Sequence, residues 1–166
     1  MKRVGVFLAI AASLALAGCG AQGVQLDREV TIEGLTMSVP SGWVEDGDDN
    51  EFSSIGSKYG SRTYEAPNSS SEGQNMIAVN YSTTSENDPE TADEFMEEYY
   101  SEMYTYEKVE ETVIDGSECT VYDVTMDGAG LDQTIALIYG MSMDYKIYVY
   151  GDEVSMDSIL ETVSIS

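Results

Sequence analysis

An α+β domain, an antiparallel sheet with helices covering one face, is what this sequence predicts, and three observations predict it. Four strand-like runs follow one another between Glu107 and Tyr150, and Asp-Gly pairs at 115–116 and 127–128 mark turns of the kind that joins antiparallel strands. Two other segments place apolar residues at helical spacing behind capping residues. The chain has 166 residues, 42% hydrophobic and 10% aromatic, which is enough for one packed core but not two.

Charge excludes several functions. With 31 acidic against 7 basic residues the formal net charge is −24, and there is no histidine. Affinity for a phosphate backbone comes mainly from Lys and Arg, so nucleic acid is excluded as a partner. The absent histidine removes the commonest general base and transition-metal ligand.

The chain opens with Met1-Lys2-Arg3 and an apolar run from Val4 to Ala17. That run is too short and too rich in alanine for a comfortable membrane span, and it reads as the core of a secretion signal. Leu16-Ala17-Gly18-Cys19 follows and resembles the lipobox of bacterial lipoprotein signal peptides. The resemblance implies a diacylglycerol thioether on Cys19, cleavage of residues 1–18, and often a further acyl chain on the new amino terminus. The other reading is a plain cleaved signal with an incidental cysteine. Two or three acyl chains suffice for stable anchoring. Cleavage would leave five basic residues against the same 31 acidic ones, a charge of 5 − 31 = −26. Residues 19–27 are expected as lipidated cysteine and tether, and 28–166 as a single domain.

Val30-Thr-Ile32 and Leu35 to Val39 alternate at period two around Gly34, which predicts an opening hairpin. Pro40-Ser-Gly-Trp43 ends the second strand. From Glu45 to Gly60 the chain is rich in Asp, Gly and Ser and is expected to be irregular. Strands are expected again at Arg62 to Ala66 and Met76 to Ser82, joined through the turn at 67–73. The first helix has two candidate starts: Asp88 followed by Pro89, and the capping box Thr91 to Glu94. Met96, Tyr99, Tyr100 and Met103 form its apolar stripe, opposite a solvated face of Asp93, Glu94, Glu97, Glu98 and Glu102. The meander follows as Glu107 to Ile114, Ser117 to Met126, Leu131 to Tyr139 and Met143 to Tyr150. A closing helix carries Met156, Ile159, Leu160 and Val163 at helical spacing. Cys119 lies inside a strand and, with Cys19 committed to lipid, is expected to be a buried small hydrophobe.

The segment Leu35 to Trp43 resembles the strand-Pro-x-x-Trp entry of PsbP-like domains, a superfamily that includes DcrB-type bacterial lipoproteins. The capped helix, the Val113-Ile-Asp-Gly116 hairpin and the closing Ile159 to Ile165 are similar in kind and order, so the likeness spans most of Val30 to Ile165. It implies a curved antiparallel sheet flanked by helices, and members that bind other proteins or assist assembly of membrane complexes rather than catalyse. No functional residue carries over with it.

For a divalent cation, calcium foremost, the best candidate is the loop Glu45 to Glu51, with Asp46, Asp48, Asp49 and Glu51 as ligands. Against the EF-hand pattern it fails, because Glu51 stands where Gly is needed and Ser57 where the last carboxylate should ligate. A solvated loop is the reading preferred. A glycoside hydrolase would need two carboxylates across a cleft, and abundance makes any such pair uninformative. Tyrosine, at 12 residues, is the other excess. Most of these rings are expected in the core, while Tyr100, Tyr104 and Tyr148 are candidates for a partner-binding surface. The expectation is a lipid-anchored protein on the outer face of the cell membrane, without an enzymatic role or a required cofactor. It would bind a protein or cell-envelope partner.

Overall fold

The computed structural model describes residues 24–46, 52–54, 57–67, 75–84, 89, 91–126 and 132–166. The signal segment, Cys19, Asp48, Asp49, Glu51, Asp88 and the Asp127-Gly128 turn lie outside these described residues.

Strand β1 (Leu26–Ile32) begins two residues before the expected domain start and pairs with β2 (Leu35–Pro40). Their turn places Glu33 at φ 49° and Gly34 at φ 92°, the left-handed pair that a two-residue hairpin requires. Trp43 N–H donates to the Pro40 carbonyl at 3.1 Å, and both residues are buried, so the chain reverses where the Pro-x-x-Trp pattern predicts.

The stretch expected to be irregular holds β3 (Val44–Asp46), β4 (Phe52–Ser54) and the start of β5 (Ser57–Glu65). Ladder hydrogen bonds are made by the backbone, so a Ser- and Gly-rich run forms a strand when a neighbour offers partners. That neighbour is β6 (Met76–Thr83), where Gly60 lies opposite Tyr81.

Helix α1 (Ala92–Tyr100) takes the second of its two candidate caps: Thr91 Oγ1 accepts from Glu94 N–H at 3.2 Å. Its buried stripe is Ala92, Phe95 and Met96, with Tyr100 half-buried, whereas Tyr99 and Met103 are exposed. The stripe is thus rotated from the expected one. Alanine and phenylalanine on the first two turns set the buried face, and the helix ends before Met103.

Strands β7 (Tyr104–Ile114), β8 (Ser117–Met126), β9 (Asp132–Tyr139) and β10 (Met143–Tyr150) form the expected meander. Asp115 at φ 48° and Gly116 at φ 88° make its first turn. Helix α2 (Met156–Leu160) is shorter than expected and leaves out Val163, because the chain extends into β11 (Ser164–Ile165), which pairs with β2. Thr162 makes the change by accepting from Ser38 N–H at 2.9 Å.

The large sheet runs β3-β5-β6-β10-β9-β8-β7 with β4 on β5, and the small one runs β1-β2-β11, so the fold is α+β with an open antiparallel sheet. The helices do not share a face. Leu35, Met37 and Val39 of β2 and Met156 and Ile159 of α2 pack on Ile77, Val121, Ile138 and Ile147 of the large sheet. Ala92, Phe95 and Met96 of α1 pack on Tyr122, Val124, Ile135 and Leu137, which point the other way. Two apolar layers therefore replace the single core expected. Strand alternation supplies both, because β8 and β9 carry apolar residues on odd and even positions alike.

Candidate functional site

The structure brings Tyr100, Tyr104 and Tyr148 together at the C-terminal end of α1, on the face opposite the small sheet. Tyr100 closes the helix, Tyr104 opens β7 four residues later, and Tyr148 points up from β10. The rings of Tyr100 and Tyr104 lie 5.0 Å apart at 52°, and Phe95 lies 6.0 Å from Tyr100. Lys146, two residues from Tyr148 on the same face, sets its ammonium 5.0 Å from the Phe95 ring. The Tyr148 hydroxyl lies beside the side chains of Tyr100 and Asn80. These rings are half-buried and fixed by their neighbours, and Tyr99 and Met103 stand exposed beside them.

The phenols of Tyr100 and Tyr148 stay protonated. Burial first, and then the neighbouring phenol of Tyr148, push Tyr100 far above the ordinary tyrosine value. Tyr148 and Tyr150 are also raised, chiefly by burial. At neutral pH Tyr100 and Tyr148 offer hydroxyl groups and apolar ring faces, and neither supplies a tyrosinate base. What the cluster can do is hold a surface against another surface.

The acidic helix face is less bare than the sequence implies. Asp93 accepts from Tyr122 at 2.6 Å and from Lys108 at 2.8 Å, and Glu97 accepts from the Tyr106 hydroxyl at 3.1 Å. Glu94, Glu98 and Glu102 are exposed.

Of the proposed cation ligands, Asp46 is exposed at the end of β3, opposite Thr63, and the other three lie outside the described residues. Among the described residues no three acidic or sulfur ligands are grouped to hold a metal. A cleft of about 380 Å³ beside Pro40 and Trp43 does carry two carboxylates, Asp27 and Glu153. Asp27 accepts from Ser41 N–H at 2.8 Å, and that bond holds its carboxyl below the usual range, the wrong direction for a general acid. Cys119 is 1% exposed, and burial, with Glu110 nearby, pushes its thiol up to about 11. Strand alternation in the sequence already places Lys146 on one face with Tyr148 and Tyr150. Sequence reasoning missed Phe95 and Asn80 as the rest of the frame of the tyrosine cluster.

No protein-family model matches this chain, and no curated protein matches it. Among solved structures, it is similar to the solution structure of cyanobacterial PsbP (CyanoP) from Synechocystis sp. PCC 6803. The TM-score is 0.57 at 14% identity, over 91% of this chain and 99% of that one. The fold is therefore PsbP-like.

Proposed function

We propose that this chain is a lipid-anchored, extracytoplasmic binding protein without a reaction of its own. Its PsbP-like domain would hold a protein partner or support assembly of a membrane complex. The observation that carries this reading is the aromatic cluster of Tyr100, Tyr104 and Tyr148, fixed by Phe95, Asn80 and Lys146 and bordered by exposed Tyr99 and Met103. Rigid amphipathic rings gathered in one place are what interface anchors are made of, because they lose little conformational freedom on contact. Anchoring is supported by the lipobox at Leu16 to Cys19, and protein binding rather than catalysis is what the PsbP-like resemblance implies.

Two measurements test it. Cys19→Ser should release the protein from the membrane fraction and abolish its labelling by a radioactive fatty acid. In vivo crosslinking from the anchored chain should capture a partner, and Tyr100→Ala with Tyr148→Ala should lose it while the domain remains folded. Unchanged capture by the folded double variant would remove the cluster from the interface.

A further inference from the structure

The large sheet ends at β7, whose outer edge has no strand beside it among the described residues. Its first half is shielded. An irregularity between Lys108 and Glu110 breaks the register there, and Lys108 is tied to Asp93 and Glu111. Past that point the edge is open. The two-residue turn Asp115-Gly116 makes Ile114 and Ser117 the pair that exchanges hydrogen bonds across the hairpin, so the N–H and C=O of Val113 point outward. The Val113 side chain is 66% exposed on the α1 side of the sheet.

On the other side a groove of about 540 Å³ runs between this edge and α2. The second layer stops short of β7, which leaves Ile114, Leu160 and Val163 as a half-buried apolar floor. Glu110, Asp157 and Glu161 rim it. Among the described residues none of these three carboxylates has an ion-pair partner. The five basic residues beyond the signal segment are engaged elsewhere. Lys58 pairs with Glu33, Arg62 with Glu45, and Lys108 with Asp93, while Arg28 lies on the Tyr64 ring and Lys146 on Phe95.

We infer that the β7 edge from Glu110 to Ile114, with the groove beside it, docks an extended basic segment of a partner protein as an added strand. The occupant follows from the register. Alternate side chains of an added strand fall into the groove, where a Lys or Arg stem covers the apolar floor and its charged head reaches the carboxylates. The intervening side chains meet Val113 and are apolar. A second copy of this chain would bring its own excess of negative charge to the same edge, so charge complementarity selects a basic partner. The inference rests on the reading of this chain as a binding domain and adds a second surface, across the sheet from the tyrosine cluster.

The test uses the full chain in detergent and fluorescence anisotropy with a labelled, blocked Lys-Val-Lys-Val-Lys-Val peptide. A trilysine spaced by Gly serves as the control of equal charge. The Lys-Val peptide should bind about tenfold more tightly than the control. Val113→Pro removes the outward N–H without touching the ladder to β8 and should weaken the Lys-Val peptide about tenfold. Should Val113→Pro fail to fold, the exposed pair Asp157→Asn and Glu161→Gln carries the test. It should weaken binding about fivefold and flatten its salt dependence. Equal binding of the two peptides would overturn the inference as diffuse attraction to an acidic chain. Displacement by calcium at matched ionic strength would overturn it as a cation site, and a dimer abolished by Val113→Pro would overturn it in favour of self-pairing. Tyr100→Ala with Tyr148→Ala should leave peptide binding unchanged. Loss of peptide binding alone therefore sinks this inference, and loss of tyrosine-dependent capture alone sinks the other reading.

Discussion

The Tyr122 hydroxyl donates to Asp93 at 2.6 Å and so fastens the first turn of α1 to the second strand of the meander. Tyr122 is buried to 1% exposure, whereas the Asp93 side chain is 67% exposed and also holds Lys108. Removing the carboxylate with Asp93→Ala leaves a phenol whose best acceptor is gone but which water can reach from the carboxylate side. The cost should be about 1 kcal/mol, below that of a fully buried orphan. The bonds from Lys108 and then Tyr122 hold Asp93 below the ordinary carboxylate range in the fold. A group whose folded value is depressed stabilises above its unfolded value and loses that contribution as pH falls through the folded one. Urea unfolding of Asp93→Ala against the parent should therefore show its full difference at neutral pH and a shrinking one well below pH 3.8.

A second prediction concerns Gly60, which looks out of place in the middle of β5. A Cβ there would stand 2.3 Å from the Tyr81 hydroxyl oxygen and 2.5 Å from Cζ of the same ring. Tyr81 is 4% exposed within the buried cluster, so a shift of the ring must displace the residues packed around it. Gly60→Ala should destabilise by about 1–3 kcal/mol, as core overpacking does. In a Tyr81→Leu background the clash is gone, and the same substitution should be neutral or slightly stabilising because alanine loses less freedom in a strand. Equal costs in both backgrounds would mean that Tyr81 is not the reason for the glycine.

These two positions mark what the sequence could and could not reveal. The Asp115-Gly116 hairpin was legible because a left-handed pair of residues leaves a local signature, and the alternation through Ile77, Val79 and Tyr81 was legible for the same reason. Gly60 misled, because its requirement comes from a ring 21 positions away in the chain. β11 is two residues long and exists only through its pairing with β2, so no local pattern announces it. The helix stripe was misjudged because Tyr99 and Met103 are apolar enough to qualify and are exposed all the same. Among the candidate site residues, the sequence put Tyr148 on the same face as Lys146. It could not say that Tyr100, Tyr104 and Tyr148 meet, since their meeting depends on where α1 crosses the sheet.

A third prediction follows from Cys119. The thiolate is the reactive form, and a thiol raised to about 11 by burial holds almost none of it at neutral pH. With 1% exposure the sulfur is also out of reach of a reagent. Iodoacetamide should leave Cys119 unmodified in the folded domain for as long as the fold persists, and should label it promptly in urea. Labelling of the native domain at a rate that ignores stabilising salt would require a local opening of β8, against its burial of Cys119 and Val121 in one apolar cluster with Ile138.

The last prediction concerns salt, and it returns to the charge of −24. Among the described residues, Glu33, Glu45, Asp93 and Glu111 hold ion pairs, and these pairs lie at partly exposed positions. Such pairs contribute little, about 0–1 kcal/mol each. Repulsion among the remaining carboxylates is the larger electrostatic quantity, and it opposes the compact state. Added sodium chloride should therefore raise the melting temperature, whereas a domain held by its ion pairs would lose stability. The choice of cation then separates screening from binding. If the carboxylates of the loop, Asp46, Asp48, Asp49 and Glu51, are only solvated, calcium and sodium at matched ionic strength should give the same rise. A native-state calcium site would add a further increase that saturates with concentration. Equal curves for the two salts are the expected outcome, and a saturating calcium increment abolished by Asp46→Asn would reverse it.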